Sequence, residues 1–525
     1  MPYIKDFARD YVRSRMPEFS DWSRRIWDFG ETAWREYKSV SFYNDLLTTE
    51  GFDVELGSAG MPTAFCATWS NGDGPTIGGY AEYDGIPGNC QAADPFKAPR
   101  PGLSEHAGGH TDPHSALGIS SLAGFLATKA AMEKHNIPGR LKFFGEPAEK
   151  VRGSKPLHAA AGYYDDLDAA LSFHPFYMAP LCNTVRWDTH CGAAYGVIYE
   201  FTCDAPETWM ASADGSPIPA SHASARAPGA TDAMVQMYMN AKALREHIMA
   251  PGQSWSMNET ILSHGQATAD NIPAQIAQIQ YFIRISEIRD ADHIIKGLDH
   301  IAEQAARMCH CSWKRHWVAK SRPGLANHAL SQATYDNLKQ VGAPQWEDAA
   351  KDFARAIQSN LGIEPMEAPF LPMIETLIEP QEAEAQMREN LPPSQKNFTS
   401  DDYTEYCWHA PTVRLYIGRP ALAAPAGKAY PAWAMNALGG HPATIDPMIE
   451  TAGQVLAMTA LDCLTDTEML AKATEEFNQR TGGGIGGSDW IAPLADYAPP
   501  LHFRWPEYIT TERGHDWVIP TPPPN

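Results

Sequence analysis

Pro75-Thr-Ile-Gly-Gly-Tyr-Ala81 reads as a short apolar strand bounded by turn residues, and Arg140-Leu-Lys-Phe-Phe-Gly145 as a second, buried one. Between them a long helix is expected after Ser115. Leu117, Leu122, Phe125 and Leu126 share one face of it, and Gly139 follows its end. Strand, helix and strand in that order predict an α/β fold. In such sheets, catalytic loops sit at the carboxyl ends of the strands. Upstream, residues 20–50 carry Trp22, Ile26, Phe29, Ala33 and Tyr37 at helical spacing, and 62–69 reads as a strand. The pattern changes near 187. Residues 193–203 and 274–285 read as strands with a helix over 229–249 between them, which predicts an inserted α+β domain of roughly 130 residues. The expected division is 1–187 and 319–525 as one split catalytic domain, with 188–318 inserted as a smaller dimerisation or lid domain. Residues 364–396, rich in Pro and Glu, are expected to form an exposed excursion, and 515–525 a surface tail. There is no internal repeat.

The 525 residues are 44% apolar and 20% charged, which excludes disorder of the whole chain. Lys and Arg total 41 against 63 Asp and Glu, a net charge of −22. So acidic a surface repels phosphate backbones and argues against nucleic-acid binding. No run of about 18 apolar residues is present, so no membrane span is expected. The N-terminal stretch is charged throughout and lacks the apolar core of a signal peptide, so a cytoplasmic location is expected. Nine cysteines, an odd number scattered along the chain, read as free thiols in a reducing compartment. Cys309-His310-Cys311 has no second pair at zinc-finger spacing and reads as ordinary thiols.

The chemistry is densest at His106-Ala-Gly-Gly-His110-Thr-Asp112-Pro-His114, a Gly-rich loop just before the helix. Imidazole and carboxylate together suit zinc, manganese or a related divalent ion. Phe143-Phe-Gly-Glu146-Pro-Ala-Glu149-Lys150 brings carboxylates to a strand end, and Leu171-Ser-Phe-His174-Pro brings a third histidine. A carboxylate beside activated water can take its proton and pass it to a leaving nitrogen.

These motifs resemble the amidohydrolase branch of the di-metal aminoacylase/carboxypeptidase superfamily, whose members hydrolyse aminobenzoyl-glutamate, hippurate and indole-acetyl-amino acid conjugates. Ala59-Gly-Met-Pro-Thr-Ala-Phe65, Ala81-Glu-Tyr-Asp-Gly-Ile-Pro-Gly88, Gly145-Glu-Pro-Ala-Glu149, Leu244-Arg-Glu-His247, Asn271-Ile-Pro273 and the Ser400–Trp408 region carry the likeness. The resemblance implies a zinc-exopeptidase-like catalytic domain whose central mixed sheet is flanked by helices. It implies Asp112, His114 and His174 as ligands of one metal, His441 as a ligand of the other, and Glu149 as general base. Asp112 stands where the branch has Cys. Lys150 stands where it has a second Glu ligand, and an ammonium cannot ligate a cation while protonated. One manganese or zinc ion per subunit is therefore expected, with Lys150 supplying charge in place of the other.

The resemblance further implies that His222, in Pro219-Ala-Ser-His222-Ala-Ser-Ala-Arg-Ala-Pro228-Gly229, polarises the scissile carbonyl of a neighbouring subunit's site. A homodimer or larger homo-oligomer follows. Asn271 and Arg284 match positions that hold a substrate carboxylate, although a structural ion pair is an equal reading of Arg284. Tyr406, Trp408 and His409 are read as aromatic pocket or core, and Asp401 and Asp402 as a turn. The expected activity is metal-dependent hydrolysis of a small-molecule C–N bond, an amide of an aromatic or acyl amino acid. Hydrolytic deamination of an aromatic amine and a non-catalytic binding role on the same fold stay open.

Overall fold

The computed structural model describes residues 2–203, 214–216, 228–249, 254–264 and 272–501, and the backbone of two strands at 507–511 and 514–518. The strands are β1 (Asp53–Leu56), β2 (Phe65–Ser70), β3 (Thr76–Ala81), β4 (Arg140–Gly145), β5 (Ala169–Phe176), β6 (Thr184–Val185), β7 (Ala193–Thr202), β8 (Trp255–Ser263), β9 (Ile276–Ile285), β10 (Ser312–Ser321), β11 (Thr412–Gly418), β12 (Glu507–Thr511) and β13 (Gly514–Val518).

Seven strands form one mixed sheet in the order β1-β2-β4-β3-β5-β11-β6. Its centre, β4-β3-β5-β11, is parallel, and the flanking pairs are antiparallel. Strands buried on both faces read as continuous apolar runs, which is why Thr76–Ala81 and Thr412–Gly418 are buried at every position. The parallel strands all end on the same edge, and the loops that follow them carry the site.

The helix His114–His135 is buried along nearly its whole length, between the sheet and the helix Pro442–Thr465. A Cβ on Gly124 would stand 2.8 Å from Leu456 Cβ, so the glycine lets these two helices approach. Leu117, Leu122, Phe125 and Leu126 fill the core here. Emptying one such position to Ala typically costs about 2–5 kcal/mol.

Two expectations are corrected. Residues 20–50 form two helices, Met16–Phe29 and Tyr37–Thr49. The first ends at Gly30, whose φ of +53° suits a residue without Cβ. A Cβ there would meet the Arg100 guanidinium at 2.3 Å. The segment 364–396 is exposed over much of its length, as expected, but it is anchored to the core rather than free. Phe370 and Ile374 are buried, and the Asn183 amide donates to Ile374 O at 2.7 Å and Thr376 O at 3.0 Å.

A second, antiparallel sheet has the order β10-β7-β9-β8. Helices Ala230–His247 and Ile288–Met308 pack on it around a separate apolar cluster that includes Tyr199, Ile279, Ile294 and Leu298. β8 and β10 are its edges.

Candidate functional site

Four parallel strand ends converge on one cleft. β3 runs into Glu82 and Asp84, β4 into Glu149, Lys150 and Arg152, β5 carries His174 near its end, and β11 runs into Arg419. His114 enters as the first residue of the long buried helix.

The turn after β4 is unusual. Ala148 and Arg152 bracket Glu149–Val151 with φ of +57° and +59°. This left-handed conformation costs a residue with a Cβ roughly 1–2 kcal/mol. Two buried carboxylates hold it in place. Glu36 accepts from Ala148 N and Asp84 from Lys150 N, each at 2.7 Å. Backbone strain held by such contacts is typical of functional turns.

Asp84 also binds His114 Nδ1 at 2.7 Å. Burial pushes the Asp84 carboxyl up, but the hydrogen bond from His114 and further contacts outweigh this and hold it below its usual value. The contact puts the ring proton on Nδ1 and leaves the Nε2 lone pair facing the cleft. Three groups meet that nitrogen. Lys150 Nζ lies at 2.8 Å, Glu82 Oε2 at 3.3 Å and Glu149 Oε2 at 3.4 Å.

Asp112 is held between cations. Lys150 Nζ is 3.1 Å from its Oδ2 and Arg419 Nη1 is 3.2 Å from its Oδ1. His174 Nε2 is 3.4 Å from Oδ2. Burial pushes the Asp112 carboxyl up, yet Lys150 and His174 prevail and keep it well below the carboxylate range. Glu149 is buried. Arg152 binds its Oε1, and Lys150 Nζ is 3.5 Å from its Oε2. Arg152 also donates to Ser400 O, and Arg284 Nε donates to Ser400 Oγ, each at 3.0 Å. Arg284 therefore stands on the rim, one residue removed from the group that holds Glu149.

Of the residues expected from sequence, Asp112, His114, His174, Glu149 and Lys150 meet in one site, with Arg284 beside it. His441 stands apart, stacked on Phe353 with ring centroids 4.0 Å apart, and belongs to none of the ligating groups found among the described residues. His222 and Asn271 lie outside the described residues. Of the loop histidines only His114 faces the site. His106 is exposed, and His110 is buried with Nε2 on Ile26 O, where desolvation lowers its pKa to about 3. His409 pairs with Asp165 at 2.7 Å and Arg322 at 3.0 Å, Tyr406 donates to Glu146 and Trp408 to Pro323 O, so these three are core residues. Asp401 caps the turn through Tyr403 N and also pairs with Arg414, while Asp402 pairs with Lys155. Glu82, Asp84, Arg152, Lys155 and Arg419 are further members of the site and its supports. Glu82 and Asp84 carried the same signal as Glu149, a carboxylate just past an apolar strand.

Among the described residues, three groups of side chains could hold a divalent ion: Glu82 with His114 and His174, Asp84 with His114 and Glu149, and Glu82 with Asp401 and Asp402. Glu82, His114 and His174 offer ligand atoms that all lie within 4.8 Å of one another. The Lys150 ammonium lies between His114 and Asp112, beside the first of these groups.

No family model matches the chain. It is similar to one of the subunits of p-aminobenzoyl-glutamate hydrolase from Escherichia coli (strain K12), 28% identical over 361 residues, or 69% of this chain and 70% of that one. It is 25% identical to the indole-3-acetyl-aspartic acid hydrolase of Enterobacter agglomerans over 31% of this chain and 47% of that one. Among solved structures, an aminobenzoyl-glutamate utilization protein from Klebsiella pneumoniae superposes with a TM-score of 0.49 and 15% identity, covering 86% of this chain and 98% of that one. By sequence, the chain is thus similar to hydrolases of p-aminobenzoyl-glutamate and indole-3-acetyl-aspartic acid.

Proposed function

We propose that the protein hydrolyses the amide bond of an aromatic or acyl amino acid conjugate, with Glu149 as general base beside one divalent ion, manganese or zinc. The observation that carries this is the position of Glu149. Its carboxylate is buried, 3.4 Å from His114 Nε2, and its other oxygen is fixed by Arg152. His114 and His174 hold the ion together with a carboxylate, Asp112 in the assignment from sequence. A divalent ion so bound lowers the pKa of water from 15.7 to about 7 and polarises a carbonyl.

The chain's own residues do the rest. Arg152 restricts Glu149 so that only Oε2 is free to take a proton from water and return it to the leaving nitrogen. Lys150 presents an ammonium where negative charge develops on the attacked carbonyl. Arg284, on the rim, suits a substrate carboxylate through its planar fork. His222, by likeness, adds an oxyanion donor from a neighbouring subunit.

The inserted segment 188–318 is the proposed dimer and lid element. Val235 and Met239 on one face of Ala230–His247 are 45% and 60% exposed, and Ile261 on the edge strand β8 is 46% exposed. None of the nine cysteines is joined in a disulfide, in keeping with a cytoplasmic enzyme.

Glu149→Gln should lower kcat at least a hundredfold while bound metal, measured by atomic emission, stays near the wild-type level. Turnover retained in this variant rejects Glu149 as the base. The single-ion site flanked by Lys150 also favours a second reading, deamination of an aromatic amine. Ammonia released without a second organic product, followed by mass spectrometry of the organic fraction, identifies that reaction.

A further inference from the structure

We propose that Glu82, in place of Asp112, is the carboxylate ligand of the single ion; this rests on the one-ion reading above. Glu82 follows β3 directly and is fully buried. Its two oxygens are in different situations. Oε1 accepts from Lys155 Nζ at 2.7 Å. Oε2 is buried with no hydrogen-bond donor and lies 3.3 Å from His114 Nε2. A buried polar atom left without a partner is destabilising, more so when charged. A cation on Oε2 removes that cost.

The neighbours supply the rest of a coordination set. Glu82, His114 and His174 have ligand atoms mutually within 4.8 Å. Two imidazoles and one carboxylate form a set that leaves positions open for water and substrate. Both outer partners are already locked. Asp84 fixes the His114 ring through Nδ1. Lys155, itself fully buried and 2.8 Å from Asp402, fixes the Glu82 carboxylate. Outer contacts of this kind orient ligands before the metal arrives.

Asp112 has no such vacancy. Lys150 and Arg419 each take one of its oxygens, at 3.1 and 3.2 Å. The Lys150 ammonium, 2.8 Å from His114 Nε2, would have to leave that nitrogen for an ion to be held there, and Asp112, 3.1 Å away, would remain its counter-ion.

The test is metal affinity, independent of turnover. Full-length protein freed of metal by chelator dialysis is titrated with Mn2+, the free ion followed by electron paramagnetic resonance, and with Zn2+ in competition with a chromogenic chelator. Wild-type protein should bind one ion per chain. Glu82→Gln should bind at least tenfold more weakly, and Asp112→Asn within threefold of wild type. Because Glu82→Gln also weakens the hold on Lys155, Glu82→Asp is measured beside it, with thermal unfolding on every variant. It keeps the charge for Lys155 but withdraws the oxygens by one methylene, so it should lose affinity with an unchanged melting midpoint. Wild-type affinity in both Glu82 variants, or an equal loss in Asp112→Asn, overturns the assignment to Glu82. A wild-type chain that binds neither metal overturns the one-ion reading itself.

Discussion

At Lys150, a single side chain changes the charge of the cleft. Its ammonium meets His114 Nε2 at 2.8 Å and Asp112 at 3.1 Å. A fixed ammonium balances one carboxylate and needs no exogenous ion, but it has no lone pair to offer. Lys150→Glu reverses this. It removes the cation between His114 and Asp112 and sets a new carboxylate beside two others, an arrangement that only a cation stabilises. Bound Mn2+ should rise from one to two equivalents per chain, counted by atomic emission on desalted protein. An unchanged count means that Lys150 is not what keeps a second ion out.

At the scale of elements, the site depends on how the end of β4 is anchored. Glu146, the first residue past β4, is fully buried. It accepts from His158 Nδ1 at 3.0 Å and from Tyr406 at 2.9 Å, and Tyr164 donates to it as well. Burial pushes its carboxyl up, but the charge of His158 outweighs this and brings it down to about 2 from an ordinary 4.5. A carboxyl with a depressed folded value contributes stability that is fully present above about pH 4.5 and is lost as pH falls toward 2. The contribution is on the order of 3 kcal/mol. Glu146→Gln should therefore be less stable than wild type near pH 7 and show a flatter stability profile between pH 5 and 2, read from urea unfolding at each pH. A profile parallel to wild type rejects the role.

Much of this level was readable beforehand. β3, β4, β5 and the helix after Ser115 fall where apolar runs and turn residues put them, and parallel strands oblige Glu149 and His174 to share an edge. Other features leave no periodic trace. The spacing from Trp22 through Tyr37 continues straight across the break at Gly30, which is set by Arg100, some 70 residues away in sequence. Three histidines in one loop look alike in sequence, and only the fold decides that His110 packs on Ile26 O while His114 faces the cleft. Arg419 follows β11 with nothing in its flanks to mark it, because its partner Asp112 is contributed by a distant loop.

For the whole molecule, the open question is whether one chain makes a complete site. The described cleft brings together Glu149, the imidazoles and several cations, while His222 falls between β7 and β8 in sequence, outside the described residues. The exposed Val235, Met239 and Ile261 lie on a helix face and an edge strand of the second sheet. Apolar side chains at such positions are what a self-complementary two-fold contact buries, and an unpaired edge strand is a ready template for a second copy. A two-fold dimer that shares His222 makes a quantitative prediction. His222→Ala and Glu149→Gln homodimers should each be nearly inactive, with a mass near 115 kDa by light scattering, about twice the 57.7 kDa chain. When equal amounts are mixed and allowed to exchange subunits, half of the dimers are hybrids. In each hybrid one of the two sites has both an intact Glu149 and an intact His222. Activity should therefore recover to about a quarter of wild type, and a single chain carrying both substitutions should not complement itself. If exchange is verified by mass-tagged subunits and no activity returns, His222 acts within its own chain or not at all, and the second sheet serves assembly without completing the site.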